Sequence, residues 1–130
     1  MKPRFDAIGI AVSDMARSLA FYRLLGLEFA DDAAAEGHVE ASPPGGVRVM
    51  FDTEDIIASF DDTWTAPEGR GRVGLAFACE NAQEVDRTHA AVVAAGHSSH
   101  LAPFDAFWGQ RYASVLDPDG TVVDLFAPLD

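Results

Sequence analysis

Hydrophobic residues recur along the chain with two spacings, the alternation of a β-strand and the ~3.6-residue period of a helix. In the first half, an apolar stretch at residues 5–13 leads to Asp14, an N-cap residue type, and a helical pattern follows. In the second half, an apolar stretch at 73–79 leads to Asn81 and a second helical pattern. Both helical patterns end at a glycine. The pattern also predicts strands at 27–30, 38–41, 47–52, 97–102, 110–116 and 121–126, and a loop or short helical piece at 54–71.

The two halves of the chain can be aligned with each other. The matching segments are 7–14 with 74–81 and 45–51 with 119–125. The first match aligns the helix caps and the second aligns turn glycines, so a duplicated βαβββ unit explains both. The modules are predicted at about 1–60 and 71–130. Because 130 residues is about one domain in length, we expect an α+β fold with both modules in a single domain, 1–130.

The chain resembles the vicinal oxygen chelate superfamily, which includes glyoxalase I, the bleomycin resistance proteins and extradiol dioxygenases. The motifs that carry the resemblance are IAVSDMARSLAFYRLLGLEF, GLAFACENAQEVDRTHAAVVAAG and FWGQRYASVLDPDGTVVDLFAPL, which cover nearly the whole chain. The turn DPDG before an apolar strand is the most specific of them. The resemblance implies two βαβββ modules that form a curved mixed sheet around a cavity, in which the enzymes hold a divalent metal.

The resemblance also implies where such a metal would bind. By the internal alignment, the two histidine positions of the family fall at Ala7 and Gly74, and its two glutamate positions fall at Met50 and Asp124. One carboxylate is too few ligands for a divalent ion, which needs several oxygen, imidazole or thiolate donors together. The sequence therefore predicts that the protein has no metal and no other cofactor.

Four histidines are candidate replacement ligands. They are His38, His89, His97 and His100. No pair has the helical spacing of a zinc motif, so we interpret them as exposed or hydrogen-bonded structural residues. An unusual ligand set of Asp124, His100 and Asp52 remains as the alternative.

Strand alternation predicts that one sheet face carries small side chains, because positions 7, 9, 11, 74, 76 and 78 are all Gly or Ala. Unfilled volume costs stability, so a ligand is expected to occupy this space. The alternative is that bulky residues of neighbouring strands fill it, or that close sheet packing requires small residues.

The same alternation selects candidate ligand-binding residues, to which Trp64 is added from the linking segment. They are Trp108, Tyr112, Asp124, Gln110, Ser114, Arg48, Met50, Phe126 and Trp64. Trp108 and Tyr112 are predicted to stack on a planar ligand. Asp124 either meets water, pairs with Arg48 or binds a cationic ligand, and Arg48 has Asp52 as a further possible partner. Met50 and Phe126 could equally be core, and Trp64 could anchor the linker or a subunit interface.

Composition restricts the partners. The net charge of −12 disfavours nucleic acid and anionic membrane surfaces. The single cysteine, Cys79, lies in an apolar strand and cannot form an intramolecular disulfide, and the N-terminal sequence lacks a signal-peptide pattern. We expect a cytoplasmic protein, a small-molecule ligand and, because the aromatic segment 60–64 needs cover, a homodimer.

Two functions fit these observations. The first is a metal-free binding protein that sequesters an aromatic or cationic compound such as an antibiotic, in the manner of the bleomycin resistance proteins. The alternative is a lyase, isomerase or dioxygenase of the same superfamily, with an atypical metal or a metal-free site. The sequence favours the binding protein over the enzyme, because binding needs no catalyst and because the acidic composition, the Gly and Ala lining and the stacking aromatics suit it.

Overall fold

The computed structural model describes residues 2–69 and 71–130. The chain forms two compact units, Met1–Ala66 and Pro67–Asp130. Both combine helices with a mixed sheet, of three strands in the first unit and four in the second. The predicted α+β fold class is therefore confirmed.

The first unit contains three strands and two α-helices. In chain order they are β1 (Ala7–Val12), α1 (Met15–Leu24), β2 (His38–Ala41), β3 (Arg48–Thr53) and α2 (Glu54–Phe60), with a short 3₁₀ turn at Ala33–Ala35 before β2. The sheet order is β1-β3-β2, with β1 parallel and β2 antiparallel to β3. α2 is the short helical piece expected after the third strand.

Helix α1 begins and ends where the sequence predicts. The side chain of Asp14 accepts a hydrogen bond from the backbone N–H of Arg17, 3.1 Å away, and satisfies one of the free donors of the first turn. Gly26 follows the helix with φ 95°, a conformation that favours glycine. The buried face of α1 packs on the sheet, where the ring centroids of Tyr22 and Phe51 are 5.1 Å apart.

The predicted strand at 27–30 is wrong: among the described residues, none pairs with this segment to form a strand. Its backbone turns back on α1 instead, since the N–H of Leu27 donates to the carbonyl of Tyr22 at 3.1 Å. Leu27 is buried, and the ring of Phe29 lies 5.6 Å from that of Phe51. The alternating apolar residues thus fill the core without joining the sheet, and the first sheet has three strands.

The second unit has the order strand, helix, strand, strand, strand. Its elements are β4 (Leu75–Ala78), α3 (Ala82–Ala94), β5 (Ser98–Ala106), β6 (Gln110–Leu116) and β7 (Val122–Pro128). The sheet order is β4-β7-β6-β5, in which β4 and β7 are parallel and the other pairs antiparallel. Asn81 caps α3 by accepting from the N–H of Glu84 at 2.9 Å.

Helix α3 covers one face of this sheet. Its fully buried residues Val85 and Val92 lie on the side of the sheet that carries the buried residues of β6 and β7. Those strand residues are Ala113, Val115, Val123, Leu125 and Ala127. Because strand side chains alternate, the intervening residues lie on the opposite face, which we call the helix-distal face.

The parallel strand pairs of the two units have the same register under the internal alignment. Gly9 lies opposite Met50 in the first unit, and Ala76 lies opposite Asp124 in the second. Met50 and Asp124 therefore occupy equivalent positions on equivalent strands.

In the part of the chain that the structure describes, no helix is long and apolar enough to cross a membrane.

Candidate functional site

The helix-distal face of the second unit carries one charged side chain in a largely neutral surface. The strand registers place on it Ala76, Ala78, Leu101, Phe104, Gln110, Tyr112, Ser114, Leu116, Val122, Asp124 and Phe126. Asp124 is the charged residue of this set. On the neighbouring strand β4, only the methyl groups of Ala76 and Ala78 project, and both residues are exposed.

Two hydroxyl groups hold the carboxylate of Asp124. Ser114, which lies directly opposite on β6, donates to Oδ1 at 2.5 Å, and Tyr112 donates to Oδ2. Ser114 is only 1% exposed, so its hydroxyl is committed to this bond. Both carboxylate oxygens of Asp124 are therefore fixed by neighbouring side chains.

Tyr112 is a hydrogen-bond donor at neutral pH. Its partial burial, together with its hydrogen bond to Asp124 and the carboxylate charge, raises the pKa of Tyr112 to about 12, against a smaller lowering by Ser114. The phenol therefore remains protonated under physiological conditions and donates its proton to the hydrogen bond with Asp124.

An aromatic cluster, formed by Phe104, Phe107, Trp108 and Tyr112, adjoins this carboxylate. The rings of Trp108 and Tyr112 have centroids 5.3 Å apart at 80°, and Phe104 lies 5.9 Å from Tyr112 and 6.3 Å from Trp108. Such edge-to-face arrangements are the favoured geometry of aromatic pairs. The cluster remains accessible, since Trp108 is 49% and Phe107 97% exposed.

The turn between β5 and β6, and not strand alternation as the sequence suggested, places Trp108 in this cluster. Alternation along β6 was extended to Trp108, but β6 begins at Gln110, and Trp108 lies in the turn between β5 and β6. Gly109 closes the turn with φ 93°, and the indole N–H of Trp108 donates to Oε1 of Gln110 at 2.8 Å. The turn and this hydrogen bond orient the indole ring.

The predicted ligand-binding residues divide between the two units. The second unit brings together Trp108, Gln110, Tyr112, Ser114, Asp124 and Phe126, whereas Arg48, Met50 and Trp64 belong to the first. Met50 is half-buried between Gly9 and Glu40 on the neighbouring strands. Trp64 is half-buried after α2, and its N–H donates to the carbonyl of Asp61 at 3.3 Å.

Arg48 belongs to a charge cluster in the first unit, formed by Asp6, His38, Glu40, Arg48 and Asp52. Arg48 pairs with Asp6 and with Glu40, whose carboxylate it contacts at 2.6 Å. His38 bridges Glu40 at 2.7 Å and Asp52 at 2.5 Å through its two ring nitrogens. Arg48 thus pairs with Asp6 and Glu40 and not with Asp52, the possible partner that the sequence offered, because His38 lies directly opposite Asp52 and hydrogen-bonds to its carboxylate.

Within this cluster, charged side chains favour the charged forms of their oppositely charged neighbours, as the pKa shifts show. The hydrogen bond to Glu40, followed by that to Asp52, raises the pKa of His38. His38 and then Arg48 lower the pKa of Glu40, and Arg48 lowers the pKa of Asp6. Asp6, Glu40, Phe104 and Phe107 are not among the predicted site residues. The alternation of opposite charges on facing strands, and the FDAFW string before the turn glycine, were the available signals.

The residues present do not fit the metal site of the fold family. Ala7 and Gly74 have no ligand atom, Met50 offers a thioether, and both oxygens of Asp124 accept hydrogen bonds from hydroxyls. Across residues 2–69 and 71–130, no group of three His, Cys, Asp or Glu side chains is arranged to hold a metal ion.

A cleft of about 370 Å³ lies elsewhere, in the first unit. It is lined by Gly26, Leu27, Glu28, Ala41, Ser42, Pro43 and Pro44. This lining contains no aromatic ring and one ionisable side chain, Glu28. The helix-distal face of the second unit, with its aromatic cluster and Asp124, has the richer chemistry for ligand recognition.

Solved structures share this fold. A glyoxalase/bleomycin resistance protein/dioxygenase family enzyme from Burkholderia phytofirmans PsJN has a TM-score of 0.82 at 19% identity, covering 98% of this chain and 100% of that one. A glyoxalase/bleomycin resistance protein/dioxygenase from Nocardioides has a TM-score of 0.74 at 22% identity, covering 100% and 86%. A glyoxalase-related enzyme from Fulvimarina pelagi has a TM-score of 0.79 at 18% identity, covering 95% and 87%. At these identities the likeness shows the fold alone.

The sequence itself identifies the family. None of the curated proteins matches the chain. The model of the Glyoxalase/Bleomycin resistance protein/Dioxygenase superfamily, however, matches residues 4–125. This match spans nearly all of the chain and confirms the resemblance that its motifs indicated. The chain therefore belongs to the Glyoxalase/Bleomycin resistance protein/Dioxygenase superfamily.

Proposed function

We propose that the protein is a metal-free binding protein that sequesters a small aromatic or cationic compound, such as an antibiotic. The observation that supports this most strongly is the accessible aromatic cluster beside Asp124 on the helix-distal face. Aromatic planes combined with a few fixed polar groups are the usual composition of a small-molecule site. The small residues Ala76 and Ala78 leave room beside them.

The chemistry of Tyr112 and Asp124 also suits binding better than turnover. A general base at neutral pH needs a pKa near 7, whereas Tyr112 has its pKa raised to about 12. Asp124 already accepts hydrogen bonds on both oxygens. Both groups are therefore arranged as fixed recognition elements, because Tyr112 uses its single hydroxyl proton to hold Asp124 in place as a stationary negative charge.

The proposal is tested by a thermal-shift screen of planar and cationic compounds on protein treated with a chelator. A ligand at ~100 times its dissociation constant is expected to stabilise the fold by about 2.7 kcal/mol. Elemental analysis of the purified protein should find no stoichiometric transition metal. One equivalent of metal that is required for ligand binding would contradict the proposal.

A pair of variants localises the site. Trp108→Ala is expected to weaken binding of a screened ligand by about 1–3 kcal/mol, because the ring that stacks on it is removed. Val93→Ala is the matched control, since Val93 is a similarly exposed apolar residue on α3. Equal ligand affinity in the two variants would place the site elsewhere.

We also propose that the protein acts as a cytoplasmic homodimer. The support is the exposed apolar side chains, which include Phe5 at 71% and Phe60 at 75%. Apolar surface of this kind is commonly covered by a partner subunit. The lone Cys79 is consistent with a reducing compartment.

A further inference from the structure

We infer that the ligand carries a quaternary ammonium group, bound against the ring faces of Trp108 and Tyr112 beside the carboxylate of Asp124. This inference rests on the proposed function and narrows it from aromatic or cationic compounds to one class of organic cation.

The first argument is the charge of Asp124. Its hydrogen-bond partners are Tyr112 and Ser114, both of which are neutral donors. None of the described ion pairs involves Asp124, and the other residues that the registers place on the helix-distal face are uncharged. The described part of the protein thus fixes a negative charge on a largely apolar face without supplying the positive charge that would complement it.

The second argument is the geometry of the neighbouring rings. The planes of Trp108 and Tyr112 are nearly perpendicular, at 80°, in an edge-to-face contact, so neither ring covers more than one face of the other. The faces of tryptophan and tyrosine rings attract cations, most strongly when water is excluded. Tryptophan attracts cations more strongly than tyrosine does. The hydrogen bond from Trp108 to Gln110 fixes the tryptophan ring in place. An organic cation on an uncovered ring face beside Asp124 would be attracted by the rings and by the carboxylate together.

The third argument concerns the type of cation. A primary ammonium has three N–H donors, which need acceptors when they leave water. On this face, each oxygen of Asp124 already accepts one hydrogen bond from a hydroxyl and Oε1 of Gln110 accepts one from Trp108, so fewer acceptor sites remain for an ammonium. The nearby Ala76 and Ala78 offer only methyl groups. A quaternary ammonium has no N–H donors to satisfy, so this surface suits it better than an amine.

Three small phenols of similar size test the inference by calorimetry on the unmodified protein. They are 3-(trimethylammonio)phenol, its uncharged isostere 3-tert-butylphenol, and the primary amine 3-(aminomethyl)phenol. We expect the quaternary compound to bind roughly tenfold more tightly than either of the others. Asp124→Asn should remove most of the preference over 3-tert-butylphenol. Asp105→Asn changes the net charge by the same amount but should retain this preference. Asp105 pairs with Arg111 on the helix-covered side of the sheet, away from the proposed site.

The outcomes separate the inference from the proposed function. Equal affinity for the quaternary compound and its neutral isostere would overturn the inference while leaving a small-molecule site intact. Tighter binding of the primary amine would also overturn it. Failure of all three compounds to bind would overturn the inference, whereas the thermal-shift screen of planar and cationic compounds decides the proposed function. Circular dichroism of Asp124→Asn checks its folding, and the comparison in the unmodified protein holds without that variant.

Discussion

At the scale of single residues, the bond between Tyr112 and Asp124 links the candidate site to a measurable titration. Burial is the largest cause of the raised pKa of Tyr112, which lies at about 12, and Asp124 adds to it through its hydrogen bond and its charge. Asp124→Asn should therefore move the pKa of Tyr112 down towards 10. NMR titration of ¹³C-labelled tyrosine would measure it. An unchanged pKa in the variant would mean that Asp124 does not contact the phenol in solution.

His38 provides a second titration, within the charge cluster of the first unit. Its pKa is raised above 6.5 by Glu40 and then Asp52. A raised pKa means that the folded state binds the proton more tightly, so the stabilisation is present below pH ~6.5 and is lost as the pH rises through the raised value. His38→Gln should therefore reduce the free energy of unfolding more at about pH 5.5 than at about pH 9. Urea unfolding at the two pH values measures this, and an equal loss at both would contradict it.

At the scale of elements, capping decides where the helices begin, and Asn81 shows this for α3. Its side chain satisfies the N–H of Glu84. Asn81→Ala is expected to lower the free energy of unfolding by about 1 kcal/mol. Gln83→Ala is the control, because Gln83 is exposed in the first turn and alanine is a good helix former there. Similar urea midpoints for both variants would show that the cap contributes little.

Elements with strong local signals could be predicted from the sequence. Asp14 and Gly26 bound α1 as expected, and β6 runs over the predicted residues 110–116. The segment 27–30 could not be distinguished from a strand, because Leu27 and Phe29 alternate as strand residues do while packing on the core. Local alternation reports burial, and strand pairing depends on backbone partners that the pattern does not contain.

The candidate site shows the same division. Tyr112, Ser114 and Asp124 share a face because strand alternation determines it, so their grouping was predictable. The orientation of Trp108 depends on a turn closed by Gly109, which alternation does not describe. The partners of Arg48 were also missed, since choosing Glu40 and Asp6 over Asp52 requires the register of β2.

At the scale of the whole molecule, exposed apolar side chains lead to the prediction of a homodimer. Light scattering at micromolar concentration should give about twice the 13.9 kDa mass of the chain. Phe60→Asp, which places a charge on a 75% exposed ring position, should shift the equilibrium towards the monomer if that position lies in the interface. A monomeric mass of the unmodified protein at all concentrations tested would contradict the dimer.

We propose above all that a small molecule binds the helix-distal face of the second unit without a metal. The most direct test is a two-dimensional ¹H–¹⁵N NMR titration with 3-(trimethylammonio)phenol in the presence of EDTA. We expect saturable chemical-shift changes at the indole N–H of Trp108 and at the backbone amides of β6 and β7. The amides around Val93 should be unchanged. Shifts centred on residues 26–28 and 41–44, or shifts that occur only after a divalent metal is added, would contradict it.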